Sequence, residues 1–396
     1  MKILVICQHY WPEPYPLPDI CEELVKRGHS VHVITDVPNY PMGVTYPAYK
    51  HRKNRQEEHN GVQITRTWTI ARRHNAIFRV LNYYSYAISS TLKALCLKED
   101  YDVVLTNQTS PVMMSSAAAA YAKKHHKKTV MYCMDLWPAC LAAGGMKEDS
   151  PIYKAFGKIS GRIYRKMDRI LITSRMFRTY LMEKHQVEEE KISYLPQYAN
   201  AVFDGVEKTQ ENKETVDLMF AGNIGAAQSL HTVLEAAERL KALPELRWHI
   251  VGDGSELENL KRLAKDKGLD QVIFHGRKPV EEMPALYASA DAMLVTLTED
   301  ALISLTLPGK VQTYMAAGKP ILGAANGEIP WAIEQAKCGF CAAAGDAEGL
   351  AEAVKQFLAL ENREKLGENA RAFYQENFTR EHFMEQLEKE LEAFSR

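Results

Sequence analysis

The chain has 396 residues, 46% hydrophobic and 25% charged, with a formal net charge of −1. That length implies two domains or more, and the composition has enough apolar surface to exclude disorder as the main state. Seven scattered cysteines argue for a reducing compartment over a disulfide framework, and no apolar run approaches the ~20 residues of a membrane span. The apolar start Met1–Cys7 turns polar at Gln8, too soon for a signal-peptide core, so a cytoplasmic protein is expected.

From the N-terminus, Lys2–Cys7, Ser30–Thr35, Asp102–Thr106, Thr129–Met134, Arg169–Thr173 and Ile192–Leu195 read as strands. Several are apolar throughout, as a parallel sheet buried on both faces requires. Helical stretches alternate with them at Asp19–Arg27, Ile77–Leu97, Val112–Lys124 and Pro151–Lys166. The segment Ala201–Thr215 is polar and lacks periodicity, which suits a linker.

The alternation then resumes, with strands at Asp217–Ala221, Arg247–Val251, Val272–His275, Ala292–Leu297, Pro320–Gly323 and Gly339–Ala343. Helices are expected at Ser229–Ala242, Ser255–Lys267, Met283–Ala288, Lys310–Ala316, Glu348–Leu360 and Glu364–Asn377. A last amphipathic helix, Thr379–Phe394, carries Phe383, Leu387, Leu391 and Phe394 on one face. The β-α alternation predicts an α/β protein of two doubly wound, Rossmann-like domains, residues 1–200 and 201–378, with a cleft between them.

Charge is unevenly shared: residues 1–200 balance at +10 and residues 201–396 at −11. Basic clusters lie at Lys50–Arg55, Arg72–Arg73 and Lys123–Lys128, among the aromatics Trp68, Phe78, Tyr83, Tyr84 and Tyr86. Solvated faces account for any single cluster; together they read as a membrane-surface patch on the first domain. Nucleic acid is disfavoured, because no recognition-helix or zinc-finger pattern accompanies them.

Ligands of open α/β sheets bind beyond the carboxyl ends of the strands. In the first half those ends carry His9, Asp36, Asn107, Asp135 and Ser174. Each alone is most simply a cap or loop anchor; five at one end of a sheet indicate a polar site. The loop Gln8–Pro18 has no G-x-G-x-x-G pattern, which disfavours a dinucleotide cofactor. Its prolines stiffen it, and its aromatics offer stacking faces for a sugar.

In the second half, Gly222-Asn-Ile-Gly225 and Gly252-Asp-Gly254 end two strands, the second followed by Ser255 as an N-cap candidate. Glycine admits close approach of a ligand, and a helix start offers free N–H groups to an anion. The richest segment is Thr306–Pro320, where Pro308 suits a first helical turn and Lys310 adds a positive charge for a diphosphate. Cys338-Gly-Phe-Cys341 lacks a second pair of metal ligands and reads as a buried strand. Neither H-E-x-x-H nor G-x-S-x-G occurs.

Nearly the full length resembles the retaining GT-B glycosyltransferases of family 4, and within them the bacterial polysaccharide-assembly, fucosamine-transferase-like group. The resemblance rests on Glu22-Glu-Leu-Val-Lys-Arg-Gly28-His29, Asn39-Tyr-Pro-Met-Gly43, Asp135-Leu-Trp-Pro138, Ala221-Gly-Asn-Ile-Gly225, Val251-Gly-Asp-Gly254, Pro308–Pro320 and Lys337-Cys-Gly339. It implies transfer of a sugar, with retention and without a metal or other cofactor, from a nucleotide-sugar donor to a lipid-linked or glycan acceptor.

The donor would then be held by Gly222, Asn223, Gly225, Gly254, Arg277, Lys278, Pro308, Gly309 and Lys310. Lys310 would steady the leaving diphosphate, and Asp135 would face the reacting sugar or acceptor hydroxyl. The acceptor would meet His9, Trp11, Tyr40, Asn107 and Trp137, and the last helix, 379–396, would pack back on the first domain. Such an enzyme would work peripherally on the inner face of the plasma membrane, in capsule or O-antigen assembly.

The family's E-x7-E pair falls on Leu305 and Thr313, and its Arg…Lys pair on Asn223 and Gln228, which leaves Lys310 as the main cation at the leaving group. A non-catalytic binding subunit of the same fold, or a nucleotide-sugar epimerase or phosphorylase, are the alternatives.

Overall fold

A computed structural model of the chain describes residues 1–73, 75–143, 145–206 and 214–395. Of the expected linker, residues 207–213 lie outside the described residues, and Ala201–Phe203 is a 3-10 turn capped by the Asn200 side chain. The chain divides into two compact units, Met1–Leu195 with Met384–Arg396, and Pro196–Phe383.

The first unit holds β1 (Lys2–Ile6), β2 (Ser30–Thr35), β3 (Gln56–His59), β4 (Val62–Arg66), β5 (Val103–Gln108), β6 (Lys128–Cys133), β7 (Arg169–Ile172) and β8 (Ile192–Tyr194). Their order is β3-β4-β2-β1-β5-β6-β7-β8, parallel except for the β3–β4 hairpin at the edge. Its helices are α1 (Leu17–Lys26), α2 (Ala76–Cys96), α3 (Ser116–His125), α4 (Ala139–Ala143), α5 (Pro151–Tyr164) and α6 (Met176–His185).

The second unit holds β9 (Val216–Ala221), β10 (Leu246–Val251), β11 (Val272–Gly276), β12 (Ala292–Thr296), β13 (Ile321–Ala324) and β14 (Gly339–Ala342). They form a parallel sheet in the order β11-β10-β9-β12-β13-β14. Around it lie α7 (Leu230–Arg239), α8 (Leu257–Asp266), α9 (Met283–Ser289), α10 (Gly309–Ala316), α11 (Glu328–Ala336), α12 (Ala347–Ala359) and α13 (Glu364–Asn377). The final helix, α14 (Arg380–Ala393), crosses the boundary between the units.

Successive strand side chains point to opposite faces, and β9 shows the result. Leu218 and Phe220 pack with Val233, Leu234 and Phe357, while Met219 and Ala221 pack with Val311, Tyr314 and Met315. Both faces are therefore core, and only loops at the strand ends remain for chemistry. The crossovers diverge between β1 and β5 in one sheet and between β9 and β12 in the other. These switch points are where such sheets take ligands.

The end of α14 belongs to the first unit. Glu388 accepts from Arg27 Nη1 at 2.7 Å and faces His29 Nε2 at 2.8 Å, and Glu390 pairs with Arg169 at 2.9 Å.

Several expectations need correction. The hairpin β3–β4 and helices α4, α6 and α11 had no counterpart in the sequence reading. Val112–Ser115 is a 3-10 turn that precedes α3, so the helix begins at Ser116. Ser255 is not a cap: α8 starts after Glu256, without a side-chain cap. Pro308 sits at the N-cap of α10, one position before the first turn. Asn107 lies inside β5, paired in register with Tyr132. Of the aromatics assigned to a surface patch, Tyr83 and Tyr86 are core residues.

Candidate functional site

In the second unit, the loops that leave β9, β10 and β12 converge on the start of α10. Gly222 leaves β9 with φ +146 and donates its N–H to the Val251 carbonyl at 3.0 Å. A Cβ on Gly252, itself at φ +143, would stand 1.8 Å from the Gly222 carbonyl oxygen. One on Gly254 would stand 2.3 Å from that of Ile224. The glycines at 252 and 254 are thus required by backbone packed on backbone, before any ligand is considered.

Gly222 has a further neighbour. A Cβ there would lie 3.2 Å from the Lys310 ammonium nitrogen, so the missing side chain leaves room for that group. Lys310 is the second residue of α10, after Pro308 and Gly309. Its Nζ lies 4.0 Å from the Phe220 ring centroid and donates to Gln228 Oε1. Among the described residues no carboxylate pairs with it, and burial lowers its pKa to about 7. A desolvated, unneutralised ammonium beside free helix N–H groups is a place where an anion is stabilised.

The loops are tied together across the switch point. Thr298 N–H donates to the Ala227 carbonyl at 3.1 Å, and the Thr296 hydroxyl donates to that of Gln228. Asp300 Oδ1 accepts from the N–H groups of Leu302 and Ile303 at 2.8 and 2.9 Å. Leu305 closes a short 3-10 turn, and the Thr313 hydroxyl donates back to the Gly309 carbonyl. Asn223 is exposed and Gly225 half-buried in the β9 loop. Arg277 and Lys278 are exposed after the edge strand β11, two strands from β9, with Lys278 3.7 Å from Glu282.

The first unit gathers a different set at the end of β1. Glu13 is buried, and its Oε1 accepts from the backbone N–H groups of Asn39 and Tyr40, each at 2.6 Å. Its Oε2 faces His9 Nδ1 at 2.8 Å. The His9 ring stacks on Tyr15 at 4.9 Å and lies 5.7 Å from the Tyr40 ring, with the Arg72 guanidinium beyond, 5.8 Å from Tyr40. One carboxylate therefore clamps the Gln8–Pro18 loop to the segment after β2 at Asn39 and Tyr40. Sequence reasoning missed Glu13; its i,i+4 spacing from His9 was the available signal.

Asp36 is buried nearby with Oδ1 unpartnered, and burial followed by the Glu13 charge pushes its carboxyl well above the usual range. His9, Glu13 and Asp36 place ligand atoms within 4.8 Å of one another, a donor set suited to a divalent cation. Both Glu13 oxygens, however, are already engaged by N–H donors.

The remaining candidates join this cluster through two arginines: Arg66 donates to the carbonyls of Asp36 and Trp11 at 3.2 and 2.6 Å, and the Arg72 guanidinium lies 5.8 Å from both the Tyr40 and Tyr83 rings. Trp11 stacks on His59 at 4.0 Å, and Asn107 is buried. Trp137 is only 3% exposed, edge-on to Tyr83 and Phe156, so its ring presents no open face for stacking. Asp135 Oδ2 accepts from the Ser110 hydroxyl at 3.1 Å, and burial raises its carboxyl. Burial also raises the thiols of Cys338 and Cys341, to about 12 and about 11, which makes them poor nucleophiles.

Comparison with known proteins bears on the two domains and their fold. Residues 18–198 match the family described as Glycosyltransferase Family 4, and residues 204–373 match Glycosyl transferases group 1. A Pseudomonas aeruginosa protein named as glycosyltransferase WbjE is 25% identical over 292 residues, 70% of this chain and 71% of that one. The colanic acid biosynthesis glycosyl transferase WcaI of Escherichia coli (strain K12) is 25% identical over 341 residues, 80% and 82% of the two chains.

Among solved structures, sucrose-phosphate synthase from Thermosynechococcus elongatus superposes with a TM-score of 0.74 at 16% identity, over 99% of this chain and 98% of the other. Anabaena HepE in complex with UDP does so at 0.71 and 14% identity, over 99% and 100%. The chain thus carries the two domains of a family 4, group 1 glycosyltransferase on a GT-B fold.

Proposed function

We propose that the protein transfers a sugar from a nucleotide-sugar donor to a lipid-linked or glycan acceptor in bacterial cell-surface polysaccharide or lipopolysaccharide assembly. The observation that carries the donor side is Lys310, a buried ammonium at the start of α10 that has no carboxylate partner among the described residues. A diphosphate held there by the Gly309 and Lys310 N–H groups would have its developing charge stabilised by that ammonium as the sugar departs. UDP and UDP-glucose complexes of HepE support a nucleotide-sugar donor. WcaI, named for colanic acid biosynthesis, and WaaG, named for lipopolysaccharide biosynthesis, support a surface-glycan acceptor.

In this reading transfer retains the anomeric configuration and needs no metal, Asp135 faces the reacting sugar or acceptor hydroxyl, and Arg277 and Lys278 approach the base. The enzyme acts in the cytoplasm, at the inner face of the plasma membrane. Its test is thermal stabilisation of the full chain by UDP, GDP and their sugars, followed by turnover with any donor that binds. At least one nucleoside diphosphate should raise the melting temperature in the wild type and not in Lys310→Ala. No response to any of them, or an equal response of the variant, refutes the reading. Leu305 and Thr313 favour a second reading, a binding subunit, in which the nucleotide is bound and no sugar moves.

A further inference from the structure

Helix α2 carries two apolar faces. At about 100° per residue, Ile77, Leu81, Tyr84, Ile88, Leu92 and Leu95 fall within one stripe roughly 80° wide. All six are exposed, Ile77 to 70%, Ile88 to 60% and Leu92 to 59%. The opposite face is already buried: Tyr86 donates its hydroxyl to the Cys7 carbonyl at 2.6 Å, and Ala94 packs on Leu4, Ile6 and Val104. The outward stripe therefore does nothing for the core.

By contrast, α8 buries Leu257, Leu260 and Ala264 and turns Glu258, Lys261 and Lys265 outward, as a water-facing helix should. Trp68, 60% exposed, extends the α2 stripe sideways, since the Ser89 hydroxyl holds its carbonyl at 2.5 Å.

The charge along this stretch of sequence is of one sign. From His59 to Lys98 the sequence has no Asp or Glu, and it has six Lys or Arg. Arg73 and Arg79 flank the start of α2, with the Arg73 guanidinium 4.2 Å from the Phe78 ring centroid. At the other end stand Lys93, Lys98 and Lys124, whose ammonium donates to the Leu95 carbonyl at 2.5 Å. The acids that border the stretch in sequence are Glu58 before it and Glu99 and Asp100 after it; Glu99 interacts with Lys93, and Asp100 pairs with Lys127 at 2.9 Å.

We infer that the outer face of α2 is a docking surface for an anionic lipid bilayer, on which the helix lies flat with its apolar stripe among the acyl chains and its end cations at the headgroups. No helix among the described residues is long and apolar enough to cross a membrane, so docking here is interfacial. A protein partner would meet an apolar face whose flanking charges, from His59 to Lys98, are all cations, a pairing that an anionic headgroup layer satisfies. The sequence had placed the membrane patch on basic clusters and aromatics together; the structure moves its centre to the aliphatic stripe of α2.

The test is co-sedimentation of the full chain with vesicles of phosphatidylcholine, alone or with 30 mol% phosphatidylglycerol. The wild type should bind the anionic vesicles at least tenfold more tightly than the neutral ones, and 0.5 M NaCl should weaken that binding. Ile88→Ser with Leu92→Ser should lower binding at least tenfold, with melting temperature and gel-filtration mass unchanged.

Should that variant unfold, quenching of Trp68 by brominated lipid decides: quenching should appear in the wild type and diminish in Trp68→Phe. A wild type indifferent to anionic vesicles overturns the inference, as does a stripe variant that binds like the wild type. So does a stripe variant whose only change is from dimer to monomer, which would assign the face to a second copy. None of these outcomes depends on whether sugar is transferred.

Discussion

The depressed pKa of Lys310 makes donor affinity a function of pH. With its pKa at about 7, the ammonium is about 90% charged at pH 6 and about 10% charged at pH 8 in the empty protein. A diphosphate selects the charged form, and its two negative charges pull the pKa back toward the ordinary lysine value. Affinity for a nucleotide sugar should therefore fall about tenfold from pH 6 to pH 8, worth about 1.4 kcal/mol. A nucleotide sugar is the right probe, because its diphosphate is doubly esterified and carries no proton in this range.

The measurement is isothermal titration with UDP-glucose and GDP-mannose at half-unit pH steps, for wild type and Lys310→Gln. The variant should bind more weakly at pH 6 and show no slope. A flat wild-type curve would refute the reasoning, and so would a slope that survives in Lys310→Gln.

Two further predictions concern stability. Gly252→Ala should destabilise the second unit by about 3 kcal/mol or more, because its Cβ would meet the Gly222 carbonyl at 1.8 Å and positive φ adds strain; denaturant unfolding near wild type would show that the two loops can separate without cost. Asp36→Asn should stabilise the protein at pH 8, since the folded carboxyl is raised above its unfolded value. Each unit of that rise costs the wild type ~1.4 kcal/mol above the folded pKa. The melting-temperature gap should close as pH falls toward 4; a gap independent of pH, or a less stable variant, contradicts the assignment.

The parallel strands were legible because burial on both faces writes itself as continuous apolar residues, as in Val103-Val-Leu of β5 and Ala292–Thr296 of β12. The hairpin strand β3 was not, because an edge strand of sequence Gln-Glu-Glu-His is half solvated and lacks that signature. Helix α11 was obscured by Pro330 within its first turn.

At the site, Thr306–Pro320 was legible since proline, glycine and lysine sit together at one helix start. The clamp made by Glu13 was not, because its partners are backbone N–H groups 26 and 27 residues away. The glycines at 252 and 254 were read as room for a ligand; their first obligation is to neighbouring main chain.

The chain enters the second unit at Pro196 and leaves it at Phe383, so that unit is one unbroken segment while the other is written in two pieces. Anyone producing the halves separately faces an asymmetric problem. Residues 196–383 come out as a single fragment, but the partner fragment must have its last stretch spliced on. The second cut also falls inside α14, where severing costs a turn of helix on whichever side it is made. A permuted chain in which residues 1–195 follow residues 384–396 would keep each fold on contiguous sequence.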